Sequence, residues 1–147
     1  MAVVTKAISL RTRLFSENCE MAQLNLGGTG GAGTVFEITP AGNLTTLHSF
    51  CSKTNCTDGA DRMAGLIQAT DGNFYGTTQL GGTPGWGTVF KITPTGALTT
   101  LHAFTLSDGG QPYGGLLQAT SGDLYGATVN GGSRHDGTLF TQSLGAK

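Results

Sequence analysis

The sequence predicts an all-β fold built from repeated four-stranded units, and three observations support this prediction. Residues 87–104 read GTVFKITPTGALTTLHAF, which matches GTVFEITPAGNLTTLHSF at residues 33–50 at fourteen of eighteen positions. Apolar and polar residues alternate in TVFKIT, so that Phe90 and Ile92 share one side of an extended chain. The 147 residues include 25 glycines, and only 12% are charged, which is typical of short strands joined by tight turns.

The strands follow one another in a fixed order within each unit. LIQAT is the first strand, the turn DGN leads to FYGTT as the second, the glycine-rich link QLGGTPGWG leads to TVFKIT as the third, and PTG leads to LTTLHAF as the fourth. Four strands in about fifty residues is the size of one β-propeller blade, so the sequence predicts a β-propeller-like fold. A β-solenoid is the alternative, because it also stacks repeats.

The repeat period changes along the chain. GTVF starts at Gly33 and Gly87, and GTLF starts at Gly137, so the copies lie 54 and 50 residues apart. The extra four residues belong to the loop that contains Cys51 and Cys56. The sequence predicts that residues 1–24 are a non-repeat segment, either disordered or foreign to the fold, and that residues 25–143 are tandem repeats. The predicted repeat units lie near 33–86 and 87–136, with a partial unit at 137–143.

Counting strands gives about two four-stranded blades. Residues 66–104 make one complete blade, and two partial blades flank it. The C-terminal blade has three strands, and residues 44–50 could supply its fourth strand, which is how propellers close their ring. Two blades do not close a ring of at least four, so we expect self-association through open sheet edges, either as a homo-oligomer or as aggregation.

The run DGNFYGTTQLGG, followed by GTVFKITPTGALTTLHAF, resembles the GloVer-type tandem repeat of bacterial proteins. The resemblance covers residues 26–142, approximately. It implies a propeller-like β-protein at the cell surface, since such repeats occur in large proteins predicted to be exported. It implies no established chemistry. As written, the chain shows no signal peptide and would stay in the cytoplasm, so the resemblance assigns export to a parent protein.

Composition limits the partners that we expect. The net charge is −1 and no basic block occurs, which argues against nucleic acid. No apolar run approaches the ~20 residues of a membrane-spanning helix. Trp86 and Tyr113 are aromatic candidates for stacking on a glycan or another small molecule, and His48 is a third ligand-binding candidate. Cys51 and Cys56 are candidates for a disulfide in an oxidising compartment.

Two functions follow from the remaining candidates. Because His48 and His102 occupy one position in two repeats, a structural role is expected for them, and the first hypothesis is a binding or structural module. The alternative is a calcium-assisted hydrolase of small esters or lactones, such as acyl-homoserine lactones. Its catalytic candidates are His102, His135 and Asp136, and its metal candidates are Asp58 and Asp108. No other cofactor is expected, and turn chemistry is the structural alternative for both aspartates.

Overall fold

The computed structural model describes residues 20–24, 27, 28 and 30–145. In these residues the chain forms three antiparallel sheets and one short 3-10 turn, Thr54–Cys56. Sheet 1 consists of β1 (Glu20–Leu24), β2 (Thr34–Ile38) and β3 (Leu44–Ser49). Sheet 2 consists of β4 (Ala60–Met63), β5 (Ile67–Gln68), β6 (Phe74–Leu80), β7 (Thr88–Ile92) and β8 (Leu98–Ala103). Sheet 3 consists of β9 (Gly110–Pro112), β10 (Leu117–Gln118), β11 (Leu124–Asn130) and β12 (Leu139–Gln142).

The all-β prediction is confirmed. The four strands expected for the complete unit are β5, β6, β7 and β8, and they pair antiparallel in sequence order. None of the sheets in the described residues closes into a barrel. β3 pairs with β2 of its own unit, so residues 44–49 do not supply the fourth strand of the C-terminal unit as considered above.

Three strands were not expected from the sequence. β4 and β9 come from the loops that follow the fourth strands, and each pairs with the second strand of its sheet, β6 or β11. β1 lies in the segment that was set apart as non-repeat, most of which is outside the described residues. Its register with β2 places Ala22 opposite Phe36, just as Gly76 lies opposite Phe90 in sheet 2. β1 therefore takes the position of a second strand.

The core consists of two apolar clusters, one on each side of sheet 2. The cluster between sheets 1 and 2 has at its centre the buried residues Val35, Phe50, Phe90 and Ile92. The cluster between sheets 2 and 3 has at its centre the buried residues Ala69, Tyr75, Val89, Phe104, Leu116 and Leu124. Both faces of sheet 2 are therefore buried.

Because Gly76 has no side chain, the ring of Phe90 can pack over it in sheet 2. A Cβ added at Gly76 would lie 2.7 Å from Phe90 Cζ and 2.9 Å from Leu66 Cδ2, closer than real Cβ contacts. Gly126 has the same relation to Phe140 in sheet 3. The second strand begins with Phe-Tyr-Gly in sheet 2 and with Leu-Tyr-Gly in sheet 3. The glycine of this pattern is therefore required for the packing of the third-strand phenylalanine.

We predict that Gly76→Ala destabilises the protein by about 1–3 kcal/mol, because the added methyl group overpacks the space that holds Phe90 and Leu66. Urea unfolding followed by circular dichroism measures the change. Gly114→Ala is the control, since a Cβ at Gly114 meets no atom within 4 Å and the stability should stay within about 0.5 kcal/mol. Equal stabilities of the two variants would contradict the packing role.

Candidate functional site

Two histidine–aspartate pairs stand at equivalent places in successive repeats. The Nε2 atom of His48 lies 3.1 Å from Oδ2 of Asp58, and the Nε2 atom of His102 lies 3.0 Å from Oδ2 of Asp108. Each histidine is the second-last residue of a fourth strand, and each aspartate lies in the loop that follows. We call residues 51–59 the first connector and residues 105–109 the second connector. The sequence separations of the pairs, ten and six, differ by the four residues that the first connector has in excess.

Asp58 is the more enclosed of the two aspartates, with no exposed side-chain surface. Its Oδ2 atom accepts hydrogen bonds from the Ser52 hydroxyl at 2.7 Å and the Ser52 N–H at 3.2 Å, and Oδ1 accepts one from the Lys53 N–H at 3.4 Å. Burial alone would raise the pKa of Asp58, but these hydrogen bonds outweigh it and hold the pKa below its ordinary value. The carboxylate is thus the centre around which the first connector folds.

Asp108 organises the second connector in the same way but is open to solvent. Its Oδ1 atom accepts hydrogen bonds from the Thr105 N–H at 2.8 Å and the Thr105 hydroxyl at 3.0 Å. Burial would raise the pKa of Asp108, while the Thr105 hydrogen bonds and the nearby His102 lower it, and the net shift is downward. The exposed side-chain fractions are 38% for His102 and 42% for Asp108, against 15% and 0% for His48 and Asp58.

The connectors also bind the glycine-rich link of the following sheet. The Gly82 N–H donates to the Cys56 carbonyl at 2.9 Å, and the Gly132 N–H donates to the Leu106 carbonyl at 3.2 Å. Gly82 and Gly132 both have positive φ, at 74° and 77°, which glycine adopts without steric cost. Each connector therefore ties one sheet to the next through its own backbone.

The strand that follows each connector reaches back to the preceding link. The Asp61 N–H donates to the Ala32 carbonyl at 3.0 Å, and the Gln111 N–H donates to the Trp86 carbonyl at 2.7 Å. The same backbone geometry recurs in both copies, since Asp61 and Gln111 have φ values of 54° and 52°. A histidine–aspartate pair that fixes its connector thus helps to fix the spacing of two neighbouring sheets.

Each paired histidine also packs on an aromatic side chain that reaches the next sheet. The rings of His48 and Phe50 meet edge to face with centroids 4.9 Å apart, and Phe50 meets Phe90 at 5.0 Å. The second copy has the same series, from His102 to Phe104 at 4.8 Å and from Phe104 to Phe140 at 5.1 Å. The repeated histidines therefore belong to the contact between sheets.

A cavity of about 190 Å³ lies beside the second pair. It is lined by Val89, His102, Phe104, Asp108, Phe140, Thr141 and Gln142. His102 and Asp108, which the sequence suggested separately as base and metal ligand, thus meet at one concave surface. What the sequence did not reveal is that each aspartate pairs with a histidine, although the recurrence of both residues in both repeats carried that signal.

The other predicted site residues lie apart from one another. His135 and Asp136 are exposed in the link of sheet 3, where the His135 N–H donates to the Gly132 carbonyl at 3.3 Å. Tyr113 is exposed, whereas Trp86 is half-buried and packs on the cluster between sheets 2 and 3. Their catalytic and ligand-binding roles stay predictions.

The two aspartates suggested as calcium ligands belong to different repeats and bind different connectors. In the part of the chain that the structure describes, no three His, Cys, Asp or Glu side chains form a group able to hold a metal ion. The calcium site therefore stays a prediction. The structure joins Cys51 and Cys56, across the first connector, as a disulfide, with their Cα atoms 3.9 Å apart.

Comparison with known protein families gives a match over most of the chain. The family model described as the Gloeobacter/Verrucomicrobia repeat matches residues 22–146. No curated protein and no solved structure is significantly similar to the chain. Within the described residues, no helix has the length and apolar character needed to cross a membrane.

We predict that acid destabilises the protein partly through Asp58. Because its pKa is lower in the folded chain than in the unfolded one, the stabilisation is complete above the ordinary value of about 3.9 and is lost as the pH falls through the lower, folded value. Asp58→Asn should lower the free energy of unfolding at pH 7 by about 1–3 kcal/mol and flatten its dependence on pH below 4.

Urea unfolding at a series of pH values measures this dependence. Asp108→Asn is the matched control, because it removes the equivalent carboxylate from a half-exposed position, where solvent screening weakens the effect. The hypothesis fails if Asp58→Asn leaves the acid limb as steep as in the parent protein, or if the Asp108 variant has the larger effect.

Proposed function

Because the chain belongs to the Gloeobacter/Verrucomicrobia repeat family, we propose that it is a repeat-built, β-propeller-like module that serves as a structural or binding part of an exported or surface-exposed bacterial protein. Its task in this proposal is to hold successive sheets at a fixed spacing and to present the loops between them. Catalysis is not required for that task.

The observation that carries the proposal is the use of the repeated side chains. Phe50 and Phe104 directly follow equivalent strands, and each is buried against a phenylalanine of the next sheet. His48 and His102 bind the connectors, which in turn hydrogen-bond the next link. Side chains that recur for binding a ligand would instead converge on a common surface. Here recurrence serves the contact between sheets.

The propeller-like arrangement rests on the repetition of one contact. Sheet 1 packs on sheet 2 through Phe50 and Phe90, and sheet 2 packs on sheet 3 through Phe104 and Phe140, which are the equivalent residues. A contact that joins two unlike faces and is repeated generates a ring when its rotation closes. Propellers are such rings of four-stranded sheets.

Surface exposure is supported by composition and by the cysteines. Only 12% of the residues are charged, and the loops are rich in glycine and threonine. Cys51 and Cys56 close the first connector, and a disulfide there would persist only in an oxidising compartment. The exposed Tyr113 and the cavity beside His102 are the places where a glycan or another small molecule could bind.

We predict that Phe104→Ala destabilises the protein by about 3–5 kcal/mol, because it empties the space between sheets 2 and 3. Tyr113→Ala, an exposed aromatic residue in the same region of the chain, should change stability by less than about 0.5 kcal/mol. Thermal and urea unfolding measure both effects.

The parent protein and two further variants, His102→Ala and His135→Ala, test the hydrolase alternative. We expect no opening of lactones or small esters by the parent protein, with or without EDTA. Turnover that His102→Ala or His135→Ala abolishes would replace the structural proposal by the catalytic one.

We predict that Cys51 and Cys56 resist alkylation in protein recovered from an oxidising compartment, and that reduction adds two alkyl groups to whatever the third cysteine, Cys19, has taken up before it. The same protein kept in a reducing cytoplasm should react at both cysteines at once. Cys51→Ser is the control, since it leaves Cys56 reactive in both compartments. Full reactivity of the exported parent protein without reductant would contradict the disulfide.

A further inference from the structure

The outer face of sheet 3 lacks the cover that the same face of sheet 2 receives. The exposed fractions of Leu117, Tyr125 and Leu139 are 69%, 44% and 89%. Their equivalents in sheet 2 are Ile67, which packs on the cluster between sheets 2 and 3, and Tyr75 and Val89, which are 2% and 0% exposed. The residues that cover them come mainly from sheet 3. Sheet 3 therefore presents a copy of a contact surface that is filled elsewhere in the molecule.

The β12 edge of sheet 3 is also unpaired in the described residues. β2 pairs with the fourth strand β3, and β7 pairs with the fourth strand β8. Within the described residues β12 pairs with β11 alone. An exposed strand edge with free backbone groups can add a further strand. In the part of the chain that the structure describes, neither the outer face of sheet 3 nor its β12 edge has a partner.

Sheet 2 shows which strand fits such an edge. Val89 lies opposite His102 and Phe90 opposite Thr100 in the pairing of β7 with β8. Leu101 packs on the cluster that contains Val89, and the ring of Phe104 contacts the ring of Phe140. The start of β12 and the residue before it match β7, since the residues at 138–140 are Thr-Leu-Phe and those at 88–90 are Thr-Val-Phe.

We propose that β12 binds, in trans, the fourth strand of another repeat-bearing polypeptide, an extended segment with the pattern Leu-Thr-Thr-Leu-His-x-Phe. Its backbone pairs with β12, its second leucine covers Leu139, and its histidine is held by the aspartate of its own connector, as His102 is held by Asp108. The inference rests on the proposed function, because it extends the same contact between sheets by one unit.

The test is direct binding of a synthetic peptide to the full chain. The peptide has the sequence of residues 94–109, PTGALTTLHAFTLSDG, with a fluorescent label, and its anisotropy is followed as protein is added. We expect saturable binding and slower hydrogen exchange of the β12 amides. A peptide with Leu101→Ser and Phe104→Ser should bind at least about tenfold more weakly, since it keeps the charges and length but loses both apolar contacts.

Two protein variants locate the site. Leu139→Lys alters the most exposed apolar residue of the proposed surface and should weaken peptide binding about tenfold without unfolding the chain. Leu44→Lys changes another exposed leucine, on β3 of sheet 1, and should leave binding unchanged. Self-association that the peptide displaces and Leu139→Lys abolishes would support the same site.

Absence of binding, or equal binding by the parent protein and the Leu139→Lys variant, overturns the inference. That outcome is separable from failure of the proposed function. The Phe104→Ala variant tests the contact inside the chain, and it can be strongly destabilised whether or not β12 accepts a strand. Conversely, a stable Phe104→Ala variant would contradict the proposed function even where the peptide binds.

Discussion

Burial on both faces of a sheet is the constraint on which this structure depends. Val89 and Phe90 are neighbours in β7, point to opposite sides, and are both fully buried. One side is covered by sheet 1 and the other by sheet 3. A sheet of this kind exposes an apolar face whenever a neighbour is missing, so a single unit would be unstable in water. The stability of each sheet therefore depends on the neighbouring sheets that cover it.

The same constraint explains the chemistry of the connectors. Two sheets that must meet face to face need a fixed spacing and orientation, and a glycine-rich loop alone does not supply it. The carboxylates of Asp58 and Asp108 gather backbone N–H and hydroxyl donors from their own loops and receive the histidine of the preceding strand. In the first connector this arrangement is buried and crossed by the cysteine pair. The second connector is shorter, and its histidine–aspartate pair borders a cavity.

Comparison of the two connectors distinguishes the features that both repeats share from those found in only one of the two. The pairs are alike in geometry, with distances of 3.1 and 3.0 Å, yet the second is much more exposed to solvent than the first. A catalytic role for the paired histidines would leave the buried pair without a purpose. The structural role that we propose accounts for both pairs, and it leaves the surface beside His102 available for a ligand in one copy.

The sequence by itself determined the local structure. The alternation in TVFKIT and the turns DGN and PTG were sufficient for predicting β5 to β8, because strand direction and turn conformation depend on neighbouring residues.

The tertiary structure alone decided the rest. β4 and β9 are strands only because the second strand of their sheet offers them an edge, and β1 is recognised by its register with β2 and hardly by its sequence. The pairing of His48 with Asp58 joins residues across a loop of variable length, so spacing did not reveal it. Exposure was decided in the same way: Val89 and Leu139 hold equivalent positions, but only Val89 has a neighbouring sheet to cover it.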